Sequence, residues 1–361
     1  MKVLVVDDTI FYRKLLSDIF KAVPEVEVVG TANNGKIALS RIRSLKPDLV
    51  TLDVEMPEMN GLQVLQAILD EGLGARCLLV SSLTEKGGEI TVQALQLGAL
   101  DFITKPQAQS SEQNLQLLQK DLLPKIRNFI RHKKLWDQHP PGAREKEVKP
   151  ARPAKDLEQV LAKSKDLEKR SEKSLAVAIG VSTGGPNALA ALLPGLDLKV
   201  PVFIVQHMPP IFTLSLAKSL DAKCPMRVKE AENGEQVHSG TIYLAPGGQQ
   251  MKVAGVGRFQ DKVIRVTDDP PENNCKPSVD YLLRSVAREY GSRSTAVIMT
   301  GMGQDGKLGA KLLKASGGVC IVQDEVSSVV FGMPKTIIDA GLSDLVVPLQ
   351  QLAQEIARTV H

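Results

Sequence analysis

Two sets of side chains in this sequence have the types and positions to do chemistry. The first is acidic. Asp53 closes the apolar run Leu49–Leu52, and Asp7 and Asp8 close the run Val3–Val6. Three carboxylates at the ends of two short buried strands cannot all ionise cheaply side by side, so they call for a cation or a phosphoryl group between them. Asp7 and Asp8 suit a hard divalent cation such as Mg²⁺, which takes oxygen ligands and neutralises transferring phosphoryl oxygens. Lys105, ahead of Pro106, is placed to aim a fixed positive charge at the phosphate, with a cis peptide bond expected between the two. The Ser81 hydroxyl is placed to bond a phosphoryl oxygen. Asp8, Asp53 and the Glu55 backbone carbonyl would ligate the metal, with Asp7 acting through water.

The second set is nucleophilic. Ser182 leaves the apolar run 176–181 on the glycine-rich turn Ser-Thr-Gly-Gly-Pro, which leads into a helical pattern. By itself this turn reads either as a phosphate cradle or as a nucleophile turn. It lacks the P-loop Gly-Lys-Ser/Thr, the G-x-G-x-x-G spacing and the G-x-S-x-G elbow. His207 favours the nucleophile reading, because it alone among the five histidines emerges at the end of an apolar strand, 200–206. Asp305 follows the run 295–304 and opens a helical pattern, where alone it would read as a cap. A serine hydroxyl needs a base, and the base an orienting carboxylate; Ser182, His207 and Asp305 supply the three roles. Glycines flank Met302, so its N–H is the first candidate oxyanion donor, and Thr183 (N–H or hydroxyl) the second.

The elements that must position these groups are strands and helices in alternation. Residues 1–132 carry strand-like runs at 3–7, 26–31, 49–53, 77–81 and 100–104, with amphipathic stretches between them and a longer one at 112–132. This predicts an α/β fold of five β/α units, an open parallel sheet covered on both faces. Asp7, Asp8, Asp53, Ser81 and Lys105 all fall at carboxyl ends of strands, where such sheets hold their functional residues. Residues 174–361 resume the alternation, with strands expected at 175–181, 200–205, 241–245, 294–300, 318–323 and 344–347. That predicts a second, doubly wound α/β domain. Residues 133–173 are Pro-containing and charged, and read as a tether whose second half, from Asp156, could form a solvated helix.

Composition narrows the classes. The chain has 361 residues, 43% hydrophobic and 24% charged, as a soluble protein of two or three domains should. The net charge of +4 is carried by residues 133–173, which hold 12 Lys/Arg against 8 Asp/Glu. The remainder is neutral, which argues against a basic nucleic-acid face on either folded domain. No apolar run approaches membrane-spanning length, and the N-terminus shows no cleavable leader pattern. Cys77, Cys224, Cys275 and Cys320 lack C-x-x-C spacing, so free thiols in a reducing cytoplasm are expected.

The motifs carry two resemblances. Val-Val-Asp-Asp (5–8), Leu-Asp-Val-Glu-Met-Pro-Glu-Met-Asn-Gly (52–61), Val-Ser-Ser (80–82) and Thr-Lys-Pro (104–106) resemble the receiver domain of two-component response regulators, a flavodoxin-like (βα)5 fold. That implies a phosphoryl group on Asp53, donated by a chemotaxis histidine kinase, with Phe102 matching the family's switch aromatic. Ile-Gly-Val-Ser-Thr-Gly-Gly-Pro (179–186), Val-Gln-His-Met-Pro (205–209), Tyr-Leu-Ala-Pro-Gly-Gly (243–248), Pro-Ser-Val-Asp (277–280), Thr-Gly-Met-Gly-Gln-Asp-Gly (300–306) and Val-Phe-Gly-Met-Pro (330–334) resemble the catalytic domain of CheB-type chemotaxis protein-glutamate methylesterases. Val181 stands where that family usually has Ala, and Gln250 and Cys275 where it usually has His.

This second resemblance implies a cytoplasmic hydrolase that demethylates glutamyl esters, and deamidates glutamines, on methyl-accepting chemoreceptors. It implies no cofactor for the ester chemistry. A second expectation concerns regulation: the unphosphorylated receiver hinders access to Ser182, and phosphorylation of Asp53 exposes it. A DNA-binding regulator and a non-catalytic adaptor are the rivals; the neutral folded domains and the absence of a helix-turn-helix pattern argue against the first.

Overall fold

The computed structural model describes residues 1–107, 110–138, 170–257 and 261–360. The chain divides into two compact units, Met1–Val148 and Lys149–His361. Most of the expected tether, including the helix proposed from Asp156, lies outside the described residues. Among the described residues, no helix is long and apolar enough to cross a membrane.

In the first unit, strands β1 (Lys2–Val6), β2 (Glu27–Ala32), β3 (Leu49–Asp53), β4 (Arg76–Ser81) and β5 (Asp101–Thr104) form one parallel sheet in the order β2-β1-β3-β4-β5. Helices α1 (Ile10–Lys21), α2 (Gly35–Leu45), α3 (Gly61–Asp70), α4 (Glu85–Leu97) and α5 (Ser111–Gln138) follow the strands in turn. β3 is buried at every position, which suits a central strand covered on both faces. The strand order reverses between β1 and β3, so the crevice at this switch point lies between Asp7 and Asp53. α3 begins at once after this loop, on a reciprocal capping box between Asn60 and Gln63. Gly61 permits the tight approach: a side chain there would collide with the Asp53 carbonyl. α5 runs on to Gln138, beyond the stretch the periodicity suggested.

In the second unit, β6 (Ala176–Val181), β7 (Val202–Gln206), β8 (Arg227–Glu230), β9 (Thr241–Leu244), β12 (Ser294–Ile298), β13 (Val319–Gln323) and β14 (Leu345–Val347) form a seven-stranded sheet, ordered β14-β13-β12-β6-β7-β9-β8. All its pairings are parallel. Its helices are α6 (Gly185–Leu192), α7 (Pro210–Asp221), α8 (Val279–Tyr290), α9 (Lys307–Ala315), α10 (Met333–Asp339) and α11 (Leu349–Val360). The chain winds from β6 through β7 to one edge and later returns to β12 on the other side, so the switch point falls beside β6.

Three strands were not anticipated: β8, and an antiparallel hairpin of β10 (Gln250–Val256) and β11 (Asp261–Thr267). Met251, Val253 and Ile264 of the hairpin enter the same core as Leu282, Leu283 and Val286 of α8. At the front of this unit Arg170 is already fastened, donating to the carbonyls of Ser292 and Gly317.

Candidate active site and acidic pocket

β12, β6 and β7 are neighbours, and their carboxyl ends carry Asp305, Ser182 and His207. Backbone bonds lock the three ends together. Ser182 N donates to Thr300 O, and His207 N to Val181 O. Gln206 Nε2 donates to Ser182 O at 3.0 Å, and Thr300 Oγ1 to Thr183 O at 2.9 Å. Gly301 has no room for a side chain; a Cβ there would meet Met333 Sδ and stand 2.8 Å from Ser182 Cβ.

Asp305 is 2% exposed and accepts from every side. Oδ1 takes Ser278 Oγ at 2.8 Å, Asn273 Nδ2 at 3.1 Å, Asp280 N at 3.1 Å and Gly306 N at 3.1 Å. Oδ2 takes Val279 N at 2.7 Å and His207 Nε2 at 2.8 Å. The expected helix-opening role is therefore displaced. α9 starts after Gly306, and the carboxylate instead sits on the first N–H groups of α8, where the helix dipole favours negative charge. Burial disfavours its ionised form, but the bonds from His207, Val279 and Ser278 outweigh this and hold the carboxyl down at about 2. On His207, burial opposes the charged form; the Asp305 and Cys275 contacts more than offset it and raise the imidazole to about 9.

With Nε2 on Asp305, the nitrogen left for proton transfer is Nδ1, the reverse of the chymotrypsin assignment. Among the described residues the Ser182 hydroxyl makes no hydrogen bond to His207. The atom facing Nδ1 is Cys275 Sγ, at 3.6 Å. Cys275 and Asn273 had not been assigned to this site. Their turn carries positive φ at Asn273 and Asn274 and is closed by paired backbone bonds between Glu272 and Cys275. The only sequence signal was that Cys275 departs from the histidine usual in the family. Of the oxyanion candidates, Met302 N–H donates to no hydrogen bond among the described residues, and Thr183 is buried beside Ser182.

In the first unit, Lys105 Nζ lies 2.8 Å from Asp53 Oδ2 and 2.9 Å from Asp7 Oδ2. The expected cis bond is not found: among the described residues the cis peptide is Lys276–Pro277, and Lys105 reaches both acids with its long side chain. Asp7, Asp8 and Asp53 offer oxygens within 4.8 Å of one another. One ammonium faces two buried carboxylates, and burial together with the Asp7 charge pushes Asp53 up to about 7 despite Lys105. Such a donor set fits a hard divalent cation. Ser81 ends β4 on the strand next to Asp53, and its hydroxyl is engaged with other partners, accepting from Thr91 Oγ1 at 2.8 Å and donating to Ser82 O at 3.1 Å. Ser82 Oγ is held by the Glu55 carboxylate.

An acidic switch-point pocket on one sheet, and a Ser/His/Asp edge on another, define a response regulator joined to an enzymatic domain. A family model described as CheB methylesterase matches residues 177–356, and one described as response regulator receiver domain matches residues 3–115. A protein-glutamate methylesterase/protein-glutamine glutaminase of Desulfotalea psychrophila is 47% identical across 100% of this chain and 98% of its own length. One from Pyrococcus horikoshii is 39% identical across 100% of this chain and 94% of its own. The solved catalytic domain of Thermotoga maritima CheB methylesterase is 40% identical, covers 53% of this chain and 100% of its own, and superposes with a TM-score of 0.50. The chain belongs to the protein-glutamate methylesterase/protein-glutamine glutaminase (CheB) family.

Proposed function

We propose that this protein hydrolyses glutamate γ-methyl esters, and deamidates glutamine side chains, on methyl-accepting chemoreceptors, under control of phosphorylation at Asp53. Ser182 is the nucleophile. His207 takes its proton at Nδ1 as Oγ attacks the ester carbonyl, then gives that proton to the departing methoxide, releasing methanol. Water, deprotonated by the same nitrogen, cleaves the acyl-enzyme to free the glutamate and Ser182. With a glutamine the leaving group is ammonia. Asp305 holds the ring by Nε2 and stabilises the imidazolium. Met302 N–H and Thr183 face the developing oxyanion. No metal or organic cofactor is needed for these steps.

The observation that carries this reading is the 2.8 Å bond that His207 Nε2 donates to buried Asp305, one strand end on either side of Ser182. A direct test is mass spectrometry of methylated receptor peptides incubated with the protein. The intact chain removes the methyl group and releases methanol; Ser182→Ala does neither, and substantial turnover by that variant would remove Ser182 from its role.

For the receiver half we infer a phosphoryl group on Asp53, supplied by a chemotaxis histidine kinase. Asp8, Asp53 and the Glu55 carbonyl would hold Mg²⁺, with Asp7 completing the site. When bound, the ion neutralises phosphoryl oxygens and favours ionised Asp53. Lys105 contributes the second positive charge, and Ser81 Oγ reaches the phosphoryl group once its bond with Thr91 is released. The free cysteines suit the reducing cytoplasm in which we place the protein.

A further inference from the structure

The contact between Cys275 and His207 belongs to no step of the ester chemistry. Sγ lies 3.6 Å from Nδ1. Zinc binds imidazole nitrogen at about 2.0 Å and thiolate sulfur at about 2.3 Å, so a tetrahedral ion leaves its nitrogen and sulfur ligands about 3.6 Å apart. The other ring nitrogen bonds a carboxylate, Asp305. That is the arrangement that orients metal-bound histidines: an N–H to the carboxylate fixes the tautomer and turns the opposite lone pair to the metal. His207, Cys275 and Asp305 form one of two clusters among the described residues whose ligand atoms converge within 4.8 Å. Asp305 is saturated by its other donors and stays with the ring. Both prospective ligands remain reachable, His207 with 13% of its side chain exposed and Cys275 half-buried.

We propose that this pair is an inhibitory site for zinc or a similar thiophilic divalent ion. The ion coordinates His207 Nδ1 and Cys275 Sγ, with water filling the remaining positions. Binding forms one metal–nitrogen and one metal–sulfur bond and releases to solvent the thiol proton and, at pH values below the raised imidazole pKa of about 9, the Nδ1 proton as well. It occupies the lone pair that would take the Ser182 proton, so hydrolysis stops while the fold is unchanged. Imidazole and thiolate select zinc over magnesium, so the site ignores the ion that suits the acidic pocket. The inhibitory half of this inference rests on the catalytic role given to His207; the binding half does not.

The test uses the full chain with magnesium in excess. Titration with cobalt(II) alone, as a spectroscopic stand-in for zinc, is expected to produce a thiolate-to-cobalt charge-transfer band that zinc abolishes and that Cys275→Ala lacks. Absence of the band in the native chain, or its persistence in Cys275→Ala, overturns the site. Inhibition of ester hydrolysis by zinc is then measured against each protein's own chelator-treated rate. Cys275→Ala is expected to need at least about tenfold more zinc, since even partners outside the ligand set change metal affinity about 10–100-fold. Cys275→His, which restores a nitrogen ligand, should remain zinc-sensitive without the band. Equal sensitivity of the native and Cys275→Ala proteins overturns the inhibitory role even where the band is present. Loss of all turnover in Ser182→Ala tests the catalytic reading separately.

Discussion

As the proposed base, His207 would set the pH behaviour of the site. A protonated imidazole cannot accept the serine proton, so turnover rises as pH climbs through its pKa. Its ordinary value of 6.5 is raised to about 9 by contacts with Asp305 and Cys275 that outweigh burial. The rising limb of kcat/KM is therefore expected above the ordinary histidine range. Removing the sulfur in Cys275→Ala should move that limb to lower pH, because two of the raising contributions come from Cys275. A pH–rate profile of both proteins, with chelator present, checks this; an unmoved limb would uncouple Cys275 from the base. The same shifts act on stability. The raised His207 adds stability below 6.5 that is lost as pH rises toward 9, and the depressed Asp305 adds stability above 3.8 that is lost as pH falls toward 2.

At the level of elements, Asp305 links His207 to a helix. It serves His207 with one oxygen and the first turn of α8 with both. Asp305→Asn keeps the shape but puts an NH₂ among donors. Turnover is expected to fall by about 10⁴-fold, as when a triad carboxylate is lost. Stability should fall by about 1–3 kcal/mol as buried donors lose partners, read from urea unfolding. A variant with full stability would show that the cap of α8 does not depend on the carboxylate. Gly301→Ala tests the neighbouring strand end: its Cβ meets Met333 and Ser182, so turnover and stability should fall together, by about 1–3 kcal/mol for the latter.

These elements also show where periodicity stops being informative. The apolar runs that became β3, β6, β7 and β12 were legible because a parallel strand buried on both faces reads as a continuous hydrophobic stretch. β8 is four residues long with half-buried Lys229 and Glu230, too short and too charged for that signal. β10 and β11 mix buried residues such as Met251, Val253 and Ile264 with open or half-buried ones such as Lys252, Gly255 and Arg265, so neither reads as a continuous apolar run, as fits an antiparallel hairpin with one covered face. Asp305 was placed at a helix start correctly in kind but on the wrong helix, because a cap in sequence cannot reveal a helix approaching from 26 residues earlier.

At the scale of the whole molecule, the two units must exchange free energy for one to regulate the other. A coupling of about 1–3 kcal/mol alters activity about 5–150-fold. A small phosphodonor with Mg²⁺ is therefore expected to raise the demethylation rate of the full chain within that range, and to leave the rate of Asp53→Asn unchanged by the donor. Equal stimulation of both proteins would show that the control does not pass through Asp53.

The sequence by itself determined which residues stand at strand ends. Alternating apolar runs and glycine turns are local signals, and they put Asp7, Asp53, Ser182, His207 and Asp305 where chemistry occurs in parallel sheets. Only the tertiary structure decided which atoms meet. Strand order brought β12, β6 and β7 together, the approach of α8 gave Asp305 its donors, and a turn far from both strands delivered Cys275 to Nδ1. Those contacts join residues distant in the chain, and their distances depend on packing that no local pattern encodes.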